Sequence, residues 1–247
     1  MKALLCILLL FFVNPSFADI NSENTIAKRV KIEILAEDLF PLHYTKDNKV
    51  VGSSIDLIKK IMAEAKLDYE IKIQPWARIY RVAQYKKNTL LLSIARIQER
   101  EPLFKWIGIT FHTKYALYGM SDKVIAADIP LKALDKYRIA IIRKSAIHQF
   151  LAAKGLHNFQ LVSTYSQAIK MLLTDRVDLI SGVSHFFIKN CLRLQLNCQP
   201  IKAVYHFKKP SSNIFMAMSN NTDANIIQRI QNAYNKVMQG QLLLVKQ

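Results

Sequence analysis

The sequence predicts an α/β protein of two lobes, each built on a mostly parallel sheet, with two strand-like crossovers acting as a hinge. Three observations carry this. Segments with a period of two alternate with segments of period 3.6, the pattern of strand–helix–strand units around a parallel sheet. The alternation runs in two series, one from Val30 and one from about Arg138. The joins between them, near Phe111 to Met120 and Ala203 to Pro210, read as extended chain rather than as Gly/Ser linkers.

The chain opens on Met1-Lys2, an apolar run from Ala3 to Val13, a break at Asn14-Pro15, and Ser16-Phe17-Ala18. A basic start, a short apolar stretch and small residues at the last and third-last positions make residues 1–18 a signal peptide cleaved after Ala18. The run is too short for a bilayer span, which needs roughly 20 apolar residues. The mature chain is expected in the periplasm, free of an anchor.

Val30, Ile32 and Ile34 alternate on one side of a first strand ending at Ala36, and a polar loop containing Lys46-Asp47-Asn48 follows. Gly52 precedes a helix that Ser53 or Ser54 would cap, with Ile55, Ile58, Ile61 or Met62, and Ala65 on one face. Tyr69 to Ile73 is a strand and Ala77 to Tyr85 a helix, and Thr89 to Ile94 is an apolar strand of the kind buried on both faces of a sheet. The second series reads strand Arg138–Ile142, helix Ser145 to about Lys154, strand Phe159–Val162, helix Tyr165–Leu173, strand Asp178–Val183 and helix Ser184–Leu192. Strands at Ile201–Phe207 and Asn213–Ser219 follow, then an amphipathic helix from Ala224 to Met238 that rejoins the first lobe. The expected division is 19–112 with 208–247 in lobe 1, and 113–207 in lobe 2.

Composition excludes several classes. With 51% hydrophobic residues the chain is globular rather than disordered. Only 6 glycines are present, and none forms a dinucleotide or P-loop pattern, so no cofactor is expected. The formal charge of +17 favours anionic partners. Nucleic acid is not expected, because the basic residues are scattered and the chain is exported. Cys191 and Cys198 remain after loss of the leader, and in an oxidising compartment a disulfide between them is the leading reading. His185 and His206 beside them make a weak zinc site, and no metal is expected.

One stretch is more specific. Gln74-Pro75-Trp76-Ala77-Arg78, Leu91-Leu92-Ser93-Ile94-Ala95-Arg96-Ile97-Gln98-Glu99-Arg100-Glu101 and Phe104-Lys105-Trp106-Ile107-Gly108 together resemble the bacterial extracellular solute-binding proteins of family 3. The resemblance continues through Ile139 to Ser145 and Leu173 to Ile180, and covers nearly the whole mature chain. It implies the type II periplasmic binding protein fold, in which two lobes close on a ligand at the hinge. It places Arg100 on a ligand carboxylate, a role suited to the paired N–H donors of guanidinium. It places Ser93 at a strand end beside the ligand, where open α/β sheets bind, and Ser145 and Ala146 at a helix start whose free N–H groups meet an anionic end. Phe40 and Trp76 are candidate aromatic walls, and Arg78 and Arg96 further cations near the cleft.

Two departures bear on the ligand. Where the family carries an aspartate for the ligand's ammonium, this chain has Val183, and the hydroxyl residue five before the arginine is Ala95. A carboxylate or other small polar anion is therefore expected in preference to an ordinary amino acid. The expected function is capture, without chemistry, of a small polar or anionic solute, amino-acid-like or carboxylate, by a monomer that delivers its ligand to an ABC-type membrane transporter or a sensor. The alternatives are an exported cyclohexadienyl-type dehydratase on the same fold, which needs a general acid in the cleft, and a sensory receptor independent of transport.

Overall fold

The computed structural model describes residues 30–122, 129–208 and 213–245, with side chains undescribed at 184–186, 188 and 241–245. The expected signal peptide and its cleavage point lie outside the described residues.

Two five-stranded sheets form the body. In the first, β1 (Lys31–Ala36) lies between β4 (Asp68–Ile73) and β5 (Thr89–Ala95), parallel to both. β12 (Asn213–Ser219) then pairs antiparallel with β5 and with β6 (Phe104–His112). In the second, β8 (Ile139–Ile142) is parallel to β9 (Phe159–Val162) and to β10 (Leu179–Val183). There β7 (Tyr115–Met120) is antiparallel to β10 and to β11 (Ile201–His206). The chain therefore passes between the sheets at β6–β7 and again at β11–β12.

Burial explains why the elements fall where the period placed them. β5 is buried at every position, Thr89 and Ser93 included, as a mostly apolar central strand is. Helix α1 (Ser53–Ala65) buries Ile55, Ile58, Ile61, Met62 and Ala65 against the first sheet and α6 (Ala224–Val245). Apolar burial at roughly 25 cal/mol per Å² is the main favourable term in holding such layers. Its N-cap is Gly52, with no side-chain cap, so Ser53 and Ser54 are helical residues rather than the expected caps. Gly52 has φ +127, and a Cβ there would fall on the Leu42 carbonyl, so that turn requires glycine. Between the first strand and this helix, the expected loop is a hairpin of β2 (Tyr44–Lys46) and β3 (Lys49–Val51). Asp47 and Asn48 turn it, both at positive φ, as a two-residue hairpin turn demands.

On the second sheet, α3 (Ala146–Ala153) is capped by Ser145, whose Oγ accepts from the His148 N–H. Thr164 caps α4 (Tyr165–Leu173) in the same way. Cys191, in α5 (Ser184–Arg193), is joined by a disulfide to Cys198 in the segment leading to β11. One apolar cluster runs from Leu35, Trp76, Tyr80 and Phe104 to Ala116, Tyr118 and Ile142, continuous across both sheets.

Gly108, in β6, lies against the ring of Tyr234 from α6, and the Tyr234 hydroxyl donates to the Ile109 carbonyl at 2.8 Å. A Cβ at position 108 would overlap that ring. Gly108→Ala is expected to destabilise the protein by about 1–3 kcal/mol, the usual cost of overpacking. Tyr234→Ala in the same background should recover part of that loss, as a double-mutant cycle by chemical denaturation will show.

Candidate functional site

Strand ends converge on one small cavity. Glu37 follows the C-terminal end of β1, Ser93 lies near the end of β5, Ile142 ends β8 and Val183 ends β10. Register brings Tyr115 opposite Val183 and Ile214 opposite Ala95, so residues of antiparallel neighbours join the same rim. Thr113 lies in the crossover between β6 and β7. The cavity has a volume of about 50 Å³, small beside the roughly 300–1,000 Å³ of typical ligand pockets. A second cavity of about 190 Å³ shares Glu37 and Tyr165 with it. A solute of amino-acid size therefore needs the facing walls to part.

Arg100 sits in a 3₁₀ turn, Gln98–Leu103, and is 1% exposed. Its Nε and Nη2 both donate to Gln149 Oε1 of α3, at 3.2 and 2.8 Å, and Nη2 also donates to the Lys144 carbonyl at 3.1 Å. Nη1 donates to the Ala95 carbonyl at 3.1 Å. The guanidinium lies 4.9 Å from the Tyr80 ring centre and 5.1 Å from that of Trp76, within cation–π range. Burial pulls its pKa down, opposed by Tyr80, Tyr115 and Glu37. The two-pronged edge expected to hold a carboxylate thus holds the Gln149 amide oxygen, across the junction between the sheets.

Trp76 lines the cavity, and its Nε1 donates to the same Lys144 carbonyl at 2.8 Å. Ser145 and Ala146 line it from the α3 start. Ser93 lines it and is hydrogen-bonded through Oγ to His43 Nε2 at 2.9 Å. Three expected residues lie elsewhere. Phe40 is absent from the wall, its ring held edge-on by Tyr44 and covered by the Arg193 guanidinium, and Leu39 lines the cavity instead. Arg78 is exposed on α2 (Trp76–Tyr85) and does not line the cavity. Arg96 pairs with Glu101 at 2.7 and 3.0 Å over the rings of Trp106 and Phe215.

The position that resembles the family's ammonium-binding aspartate carries no carboxylate, but the cavity has one from elsewhere. Val183 is indeed apolar wall, but Glu37 supplies a carboxylate from the first sheet. Its pKa is pushed up to about 7, first by burial and then by Asp38, against the pull of Arg100. No sequence motif marked Glu37; its position immediately after the first parallel strand was the available signal. Thr113, Tyr115 and Tyr165 were also missed. The Tyr115 hydroxyl is pushed up to about 12 by burial, and that of Tyr165 is also raised, so both remain protonated at neutral pH. Among the described residues, the Thr113 Oγ1 has no hydrogen-bond partner although the residue is 4% exposed. Such a buried hydroxyl costs about 1–3 kcal/mol unless something meets it.

No family model matches this sequence, and no curated protein sequence matches it. Solved structures do match. One is a histidine kinase sensor domain with similarity to periplasmic binding proteins, at TM-score 0.75 and 18% identity, covering 88% of this chain and 95% of that one. An ancestral arginine-binding protein bound to arginine matches at 0.72 and 18%, covering 85% and 93%. The arginine-, lysine-, histidine-binding protein ArtJ from Geobacillus stearothermophilus matches at 0.72 and 18%, covering 85% and 90%. The fold is that of the type II periplasmic binding proteins. No described helix is long and apolar enough to cross a membrane.

Half-buried Glu37 and fully buried His43 give opposite pH signatures. Native Glu37 titrates near 7 against an ordinary 4.5, so it keeps a proton that the unfolded chain loses, and stability falls as pH rises between those values. Native His43 titrates near 4 against 6.5 because burial disfavours its charged form, so stability falls as pH drops through that window. The two contributions offset each other between pH 4.5 and 6.5. Glu37→Gln should therefore show a melting temperature that climbs more steeply with pH over this range than wild type, and His43→Leu one that declines. Parallel profiles for all three proteins would show that these groups titrate normally.

Proposed function

We propose that this chain is an exported receptor that captures a small polar solute between two lobes, 19–112 with 208–247 and 113–207, and presents it in the periplasm to an ABC-type transporter or a sensor. The observation that carries this is the cavity between the sheets. Its wall combines a guanidinium, a carboxylate and a buried hydroxyl that no described protein group satisfies. Arg100 and Glu37 together complement a zwitterion, so an amino-acid-like solute fits better than the simple anion expected from Val183. Arg100 takes the solute's carboxylate when Gln149 gives way, an exchange of one amide oxygen for two charged ones. The fold shared with arginine-binding proteins supports this reading.

One observation favours a second reading. Glu37, with its pKa pushed to about 7 inside a cleft, has the character of a general acid, which the dehydratase alternative requires. Wild-type protein mixed with prephenate or arogenate separates the two: an aromatic product that Glu37→Gln abolishes would replace the receptor reading with an enzymatic one.

A thermal-shift screen of L-arginine, L-glutamine and succinate tests the receptor. A solute that binds only the native state stabilises by about 2.7 kcal/mol at a hundredfold excess over its Kd. An amino acid is expected to raise the melting temperature more than succinate does. Thr113→Val should raise the melting temperature of the solute-free protein by removing the orphaned hydroxyl, and should weaken binding of the same amino acid severalfold. Unchanged binding in that variant would remove Thr113 from the site.

A further inference from the structure

His43 belongs to no expected site and is completely buried, 0% exposed. Both ring nitrogens are engaged: Nδ1 lies 2.6 Å from the Glu37 carbonyl oxygen, and Nε2 lies 2.9 Å from Ser93 Oγ. A carbonyl oxygen has no proton to give, so Nδ1 must carry the hydrogen. Burial pushes the ring's pKa down to about 4, so at neutral pH the imidazole is uncharged and Nε2 is a bare lone pair. Ser93 is then the donor in the second contact. A serine hydroxyl has one proton and two lone pairs, and here the proton points away from the cavity into the protein.

We infer that His43 sets the polarity of the ligand site: it fixes Ser93 as a hydrogen-bond acceptor toward the cavity, so the ligand group read there is a donor, an ammonium, amidinium or hydroxyl, and not a carboxylate oxygen. This deepens the receptor reading and rests on it for its ligand, though not for the orientation of the hydroxyl. Glu37 reinforces the same sign, because its carbonyl orients His43 while the same residue lines the cavity beside Ser93. Carboxylate recognition is left to the opposite wall, where Arg100 and the α3 start stand. His43 is a positioning residue, acting through Ser93. Its place is set by the Leu39–His43 bridge, whose backbone bonds of 2.8 and 3.2 Å hold the turn following β1.

The tautomer is measurable without any ligand. In protein labelled with ¹⁵N-histidine, one ring should show a protonated Nδ1 and an unprotonated Nε2 at pH 6 to 8, and Ser93→Ala should move its Nε2 resonance. A protonated Nε2, or an imidazolium at pH 7, overturns the inference. Binding is then compared for agmatine, which offers only donors, and succinate, which offers only acceptors, in wild type and in His43→Leu, where the Ser93 hydroxyl is free to turn. The agmatine-to-succinate affinity ratio is expected to fall about tenfold or more in His43→Leu, and Ser93→Ala should remove the difference between the two backgrounds. An unchanged ratio in a folded His43→Leu protein overturns the inference. If neither these probes nor the amino acids stabilise wild type, the receptor reading falls, while the tautomer still decides how Ser93 is oriented.

Discussion

The buried guanidinium of Arg100 is the constraint around which the two halves meet. A charge taken out of water is tolerated only when its donors are met, and here the acceptors come from both sheets: Ala95 from the end of β5, and Lys144 and Gln149 from the loop and helix that follow β8. The Lys144 carbonyl also accepts from Trp76, so one backbone oxygen serves two side chains, one from α2 and one from the 3₁₀ turn after β5. Lys144 lies at φ +63, in the left-handed region, one residue before the Ser145 cap. The turn into α3, its cap and the junction between the sheets are therefore parts of one hydrogen-bonded arrangement.

That arrangement explains the division of charge in the cavity. Arg100 and the α3 start form a cationic wall, and Glu37, at the far end of β1, forms the opposing one. Glu37 feels Arg100 as a stabilising charge, but burial and Asp38 outweigh it. Between these walls lie Ser93, held by His43, and the hydroxyl of Thr113 in the crossover. A wall of apolar side chains, among them Leu39, Phe111, Val183 and Ile214, excludes water and strengthens each of these interactions.

Much of the fold was legible because periodicity reports burial. The strand at Val30 to Ala36, the helix facing Ile55, Ile58 and Ile61, and the fully buried strand at Thr89 all follow from which side chains must leave water. The hairpin at Tyr44 was not, since its two short strands are largely exposed and have no apolar alternation. Asp47-Asn48 was the available signal, two residues tolerant of positive φ. Helix caps were half legible: Ser145 and Thr164 cap as their residue types suggest, whereas Ser53 and Ser54 do not.

The sequence by itself determined the α/β alternation and the order of elements, because these depend on local period, and its resemblance to a known family singled out Arg100, Ser93, Trp76, Ser145 and Ala146. Only the tertiary structure decided that Phe40 and Arg78 stand away from the cavity, that Gln149 occupies the fork of Arg100, and that Glu37 supplies the carboxylate missing at Val183. Those outcomes depend on how strand ends far apart in the chain are brought together across two sheets. Side-chain direction, burial and the orientation of a hydroxyl such as that of Ser93 are properties of that convergence, and no local spacing encodes them.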